Sequence, residues 1–241
     1  MLVATHKINK STSKGVKTSD TKGSSRITQT SSLSKGDATK ALVLDAALYL
    51  VGRDGFEGLS IGRIADRMQM SKSGVYAHFE SKENIQIEVI QEYHRRFRKF
   101  VFEPALQLPR GLPRLRKMLD KWIELTISEV STGCIYISGS FELDDQPGPV
   151  RDELSGIVMT WRKTLIKAIE MAINEGHLKS KTNPKEMLFS FYSVILGIQH
   201  DSRFLKATDS SKFADKLIKK IITENKPKSI KKALHVTNLK S

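Results

Sequence analysis

SIGRIADRMQMSKSGVYAHFESKENI, residues 60–85, keeps starting and stopping helices. Ser60, Ser71 and Ser81 each stand just before a helical pattern, where a hydroxyl can accept from the first free backbone N–H groups. After Ser60, the apolar residues Ile61, Ile64, Ala65 and Met68 recur at helical spacing. The pattern halts at Gln69-Met70 and restarts for a short helix over Ser71–Phe79, with Gly74 inside it. Val75 and Phe79 are four apart and read as inward-facing; Lys72, Ser73, Tyr76 and Ala77 then face outward. Two short helices joined by a tight turn, with a longer helix on either side, predict a helix-turn-helix whose second helix enters a DNA groove. Gly74 lowers helix propensity by up to about 1 kcal/mol. Either the glycine lets the backbone approach a groove floor or it serves packing against the preceding helix.

Upstream, Asp37 is the expected cap of a helix carrying Ala41, Leu44, Ala47, Leu48 and Val51 on one face, stopped by Asp54-Gly55. Downstream of Ser81, Ile85, Val89, Tyr93, Phe97 and Phe100 form one stripe that ends near Pro104. A helix follows with Leu115, Met118, Leu119, Trp122, Ile123 and Ile127 inward, then a short apolar segment from Gly133 to Leu143 read as one helix. Asp144–Pro149 is a break, and a long helix spans Leu154 to Ala172. The segment from Met187 to Ile198 is apolar nearly all round, which predicts burial on two sides. A last helix, about Asp209–Thr223, presents Phe213, Leu217 and Ile221. No strand alternation or repeat is visible. The expected class is all-α, about nine helices: a helix-turn-helix domain over 37–84 and a larger helical domain over 85–224.

The flanks differ from this body. The chain carries +14, with 40 Lys and Arg against 26 acids. Residues 1–40 hold eight bases and two acids, and residues 206–241 hold ten and three, so the body is near neutral. Residues 1–36, rich in Ser, Thr, Lys and Gly, are expected to be a disordered basic arm, and 225–241 a loose basic tail. Basic ends suit a polyanion or serve solubility. The helix-turn-helix region itself, 41–86, has five bases and six acids, so the arm is expected to supply charge toward DNA, entering the adjacent minor groove. No apolar run is long enough to cross a bilayer, no secretory signal is visible, and the single cysteine, Cys134, suits a reducing cytoplasm. Glycine-rich phosphate loops, metal-ligand clusters and nucleophile motifs are all missing from the pattern, so neither an enzyme nor a metal or other cofactor is expected.

The run from the first helix to the fourth resembles the DNA-binding domain of the TetR family of repressors. The matching pieces are Ala46-Ala47, Gly55-Phe56, Leu59-Ser60-Ile61, Ile64-Ala65, Ser71 to Phe79, and Ser81-Lys82-Glu83. The resemblance covers about one fifth of the chain. It implies that Lys72, Ser73, Gly74 and Ala77 read bases. It also implies that Tyr76, His78 and Lys82 touch phosphates or brace the reading helix, and that Ser60 offers a phosphate-binding helix N-terminus. Their structural alternatives are half-buried packing for Tyr76, a packed or capping role for His78, and a solvated Lys82.

The family resemblance further implies a homodimer on a palindromic double-stranded operator, the helix over 185–204 pairing with the last helix across the interface. It implies repression, relieved by an unknown small-molecule effector in the second domain. Trp122, Tyr136, Phe141, Trp161, Phe189, Tyr192 and His200 are the candidates to line its pocket, with ordinary core as the alternative. The rival is an architectural DNA-binding protein with little sequence preference and no effector.

Overall fold

The computed structural model describes residues 34–227, and every regular element among them is helical. The basic arm expected over 1–36 and the tail expected from 225 lie almost wholly outside this range. In order, the helices are α1 Lys35–Asp54, α2 Ile61–Met68, α3 Lys72–Tyr76, α4 Lys82–Phe97, α5 Glu103–Leu106, α6 Leu112–Ser128, α7 Ile135–Glu142, α8 Pro149–Asn174, α9 Pro184–Ile198 and α10 Ser210–Asn225. A π-helical turn, Arg98–Phe102, joins α4 to α5, and another, Gln199–Phe204, extends α9.

The first helix starts earlier than expected. Ser34, not Asp37, is its cap: the Ser34 hydroxyl accepts from Asp37 N at 3.1 Å and donates to the Asp37 carboxylate at 2.7 Å. Asp37 thus sits in the first turn, where its charge faces the helix dipole. The expected Ala47, Leu48 and Val51 of this helix are buried, and its inner face is wider than expected. Val43, Ala46, Ala47, Leu48, Leu50 and Val51 are buried while Ala41 is exposed, because α1 packs against both α2 and α4.

From α4 through the π turn into α5, Ile85, Val89, Tyr93, Phe97, Val101 and Ala105 are all buried, a strict four-residue ladder. An α-helix would rotate such a ladder off its face, but the π turn at Arg98–Phe102 widens the spiral and keeps it in line. Val101 therefore takes the inward place expected for Phe100, which is partly buried and lies under the Lys121 ammonium at 4.7 Å. Pro104 does not end the rod; it sits in the first turn of α5, where an N–H is not needed. This rod spans the two layers, with Ile85 and Val89 in the α1–α3 core and Tyr93 and Phe97 in the core of α6–α8.

The C-terminal pair departs from the periodicity in a telling way. α9 buries Met187, Leu188, Phe191, Ile195 and Ile198 within the chain but leaves Phe189 and Leu196 exposed. α10 buries Ala214, Ile218 and Ile222, whereas Phe213 and Leu217 of the stripe singled out in the sequence are 56% and 48% exposed. On α10 the heavier apolar stripe is thus turned outward, while α9 keeps its larger apolar set inside and still leaves Phe189 and Leu196 exposed.

Candidate nucleic-acid interface and ligand region

The α2–α3 unit is built by its caps. Ser60 Oγ accepts from Arg63 N at 3.3 Å, and Ser71 Oγ accepts from Gly74 N at 3.1 Å. Gln69 takes the left-handed conformation between the helices, with φ 54°, which closes the turn in two residues. A Cβ on Gly74 would lie 3.3 Å from both Met70 Cε and Ser71 Oγ. The glycine therefore leaves room for the cap and the turn. α3 is five residues long, shorter than the expected Ser71–Phe79, because Ala77-His78 turn the chain so that Phe79 enters the core.

Val75 and Phe79 are buried, while Lys72, Ser73, Tyr76, Ala77 and Lys82 are exposed with Ser60 on the surface. His78 is half-buried, and Gly74 is partly covered. Tyr76, at 53% exposure, does not serve as core packing. Lys72 folds back over the start of α2: a Cβ on Gly62 would lie 3.5 Å from Lys72 Cε and 3.9 Å from both Lys72 Nζ and Ser60 Oγ. An ammonium, a hydroxyl and a helix N-terminus therefore converge. Lys82 Nζ reaches Glu57 O at 3.4 Å. The near-zero charge of this region has a local explanation. Arg53 and Arg63 are both tied to Asp54, whose carboxyl is held down at about 2, chiefly by the hydrogen bond from Arg53. Lys72 and Lys82 have no acidic partner among the described residues.

Two contacts clasp this head to the larger domain. The Glu142 carboxylate at the end of α7 accepts from Phe56 N at 2.9 Å and Glu57 N at 2.7 Å. Arg203, in the π turn after α9, donates to Gly52 O at 3.3 Å and Val130 O at 3.2 Å. Gly52 and Gly133 permit this approach. A Cβ on Gly52 would come within 2.9 Å of Thr132 O, and one on Gly133 within 2.9 Å of Arg203 Cζ. Neither clasp residue was anticipated from the sequence.

The seven residues expected around one pocket separate into three places. Trp122, Tyr136, Trp161 and Tyr192 stack with Phe97 in a single aromatic cluster, with ring centroids 4.8–5.5 Å apart across Phe97–Tyr136, Trp122–Tyr192 and Trp122–Trp161. The indole N–H groups of Trp122 and Trp161 are buried without an acceptor. Phe141 and His200 instead border an open groove of about 720 Å³ between α7 and the end of α9. Phe189, 69% exposed, lies on the outer face of α9. Aromatic content alone could not separate these environments.

Beside the cluster, Tyr93 OH donates to Glu129 Oε2 at 2.7 Å and lies 3.3 Å from Cys134 Sγ. Burial pushes the Glu129 carboxyl up to about 8 and the Cys134 thiol up to about 12. Burial and the raised pKa keep the Cys134 side chain a neutral thiol, packed as a small apolar group. Glu129 was legible in principle, since it stands seven residues after Trp122, at the C-cap of α6. Among the described residues no cluster suited to a metal ion occurs, and no helix is long and apolar enough to cross a membrane.

Comparison with known proteins places this arrangement. Residues 43–89 match the family described as bacterial regulatory proteins, tetR family, and residues 111–218 match the tetracyclin repressor-like C-terminal domain. A curated relative, the HTH-type transcriptional repressor DhaR of Mycobacterium sp. (strain GP1), is 25% identical over 130 residues, 54% of this chain. The matched region spans 65% of that relative's length. A TetR transcriptional regulator from Chloroflexus aurantiacus has the same fold, with a TM-score of 0.70, 20% identity and coverage of 80% of this chain and 98% of that one. AibR, solved in complex with isovaleryl coenzyme A and operator DNA, matches with a TM-score of 0.59, 22% identity and coverage of 74% and 95%. With both domains matched in order, the chain belongs to the TetR family of bacterial regulatory proteins.

Proposed function

We propose that the protein is a sequence-specific DNA-binding regulator rather than an enzyme: a cytoplasmic homodimeric repressor released from its operator by a small-molecule effector. The observation that carries this reading is the exposed face of Ser60, Lys72, Ser73, Tyr76 and Ala77, held to the core by Val75 and Phe79. The position of Lys72 over Ser60 and the α2 N-terminus favours a phosphate contact over the base contact expected for it, because all three groups attract one anion. Ser73 and Ala77 are left to face base edges. DhaR, described as a transcriptional repressor, and AibR, solved with operator DNA, support the DNA role, and the isovaleryl coenzyme A bound to AibR supports a small-molecule effector.

Footprinting on the DNA flanking its own gene tests this. The full chain is expected to protect a compact, roughly palindromic site. Lys72→Ala should protect the same bases at higher protein concentration, with the salt slope reduced by about one. Diffuse protection without preferred limits would replace this reading by the architectural one. The basic residues 1–36 belong to the same proposal: removing them should flatten the salt dependence further while sparing the protected core.

The outward stripes of α9 and α10 support the dimer. Phe189, Phe213 and Leu217 form an apolar surface at the C-terminal pair, and burying such side chains releases about 1.5–3 kcal/mol each. Half-sites about 34–36 Å apart, or a multiple, need two reading heads. Leu217→Glu should convert the dimer to a monomer in sedimentation analysis, with helix content unchanged. An unaltered mass would move the interface elsewhere.

A further inference from the structure

The groove between α7 and the end of α9 has features of a built binding site that the aromatic cluster lacks. Its walls are apolar, from Ile137 and Phe141 on one side to Leu196 and Phe204 on the other. Gln199 borders it at 8% exposure, and its side-chain carbonyl receives no hydrogen bond. An unpaired buried acceptor is costly, and one beside a cavity marks where a donor fits. Arg203 and Lys206 border the same space, and neither is paired with a carboxylate among the described residues. The nearby acid, Asp201, is 3.3 Å from His200 Nδ1.

We infer that this groove binds an apolar organic acid bearing a hydrogen-bond donor, and that the bound carboxylate draws Arg203 away from the Gly52 carbonyl. The inference rests on the effector reading above and deepens it, moving the effector from the aromatic cluster to the groove. The chemistry of the walls selects the ligand. The apolar chain packs on Phe141 and Phe204, the acid meets Arg203 and Lys206, and the donor meets the Gln199 carbonyl, which is closed off from solvent as it stands and must turn toward the groove. The coupling follows from the clasp. Arg203 ties the last turn of α1 to the turn after α6 through two neutral backbone carbonyls, Gly52 O and Val130 O, and a carboxylate is the stronger acceptor for a guanidinium. The π turn places Gln199 and Arg203 on one side, so ligand contact and head contact share one short segment.

Isothermal titration calorimetry on the full chain tests this with 3-hydroxydecanoate, decanoate and 1-decanol as probes. The hydroxy acid should bind, decanoate more weakly, and the alcohol at least about tenfold more weakly than decanoate. Arg203→Gln should weaken both acids by about tenfold or more. Gln199→Leu, which leaves the groove apolar and the clasp intact, should erase the preference for the hydroxy acid and leave decanoate unchanged. Trp161→Phe should change neither. Binding indifferent to Arg203 and Gln199, or lost only in Trp161→Phe, would overturn the site, and no heat from either acid would overturn the ligand class. Acid binding without loss of DNA binding would overturn the coupling to Gly52. A chain that binds no DNA at all would overturn the proposed function while leaving the calorimetric result standing.

Discussion

Glu129→Gln is expected to abolish a fall in stability that the wild-type protein shows between pH 6.5 and 8. Burial holds the Glu129 carboxyl at about 8, against about 4.3 in an unfolded chain. Between these values the native state keeps a proton that the unfolded state has released, so each unit of rising pH disfavours the fold by about 1.4 kcal/mol. The stabilisation is complete below the unfolded value and is lost as pH climbs to the folded one. His94 acts in the opposite sense at lower pH. Burial, with Arg98 nearby, lowers its pKa, so its contribution is present above about 6.5 and lost as pH falls. The window from 6.5 to 8 therefore isolates Glu129, and the wild-type loss there is about 2 kcal/mol. The amide keeps an acceptor for Tyr93 OH, and any cost of its NH2 group is the same at every pH. Urea titrations at several pH values would show the slope in the wild type and a flat line in the variant. Parallel lines would mean that Glu129 is ionised in the folded protein.

The second large effect is expected at the other end of the same domain. Glu142→Ala removes the acceptor for the backbone N–H groups of Phe56 and Glu57, two hydrogen bonds to a charged group. Such bonds are worth about 1.5–3 kcal/mol each when buried, and this carboxylate is half-buried, so a loss of roughly 2–3 kcal/mol is expected. Hydrogen exchange localises the effect: protection at Phe56 and Glu57 should drop while the α6 and α8 amides keep theirs. Glu142→Gln, which still accepts but without charge, should fall between. A uniform loss of protection would mean that the carboxylate supports global stability and not the seating of the head.

The helix-turn-helix was legible because it is a local object. Three serine caps, a two-residue turn and the Val75–Phe79 pair lie within one short stretch, and each constrains the others. The stripe named on α10 is the one left outward at Phe213 and Leu217, and the face that the chain buries was not picked out, for a physical reason. Phe213, Leu217 and Ile221 and their neighbours Ala214, Ile218 and Ile222 are two parallel ladders one residue apart. Hydrophobicity favours the heavier ladder, while the chain buries the lighter one and leaves the heavier exposed. The π turn at Arg98–Phe102 was equally hidden, since an inserted position changes the face of later residues without altering composition. The clasps by Glu142 and Arg203 join residues 86 and 151 positions apart, and no local pattern records such a pairing.

Cys134 is the only cysteine in the chain, fully buried, with its thiol held at about 12. The surface is therefore free of native thiols as the protein stands. A cysteine introduced at exposed Ser73 would take up a maleimide or nitroxide label alone, without removing the native residue. In the proposed dimer, one such substitution yields a symmetric pair of labels, and their separation reads the spacing of the two heads directly. The same unmodified background would serve before and after addition of an organic acid.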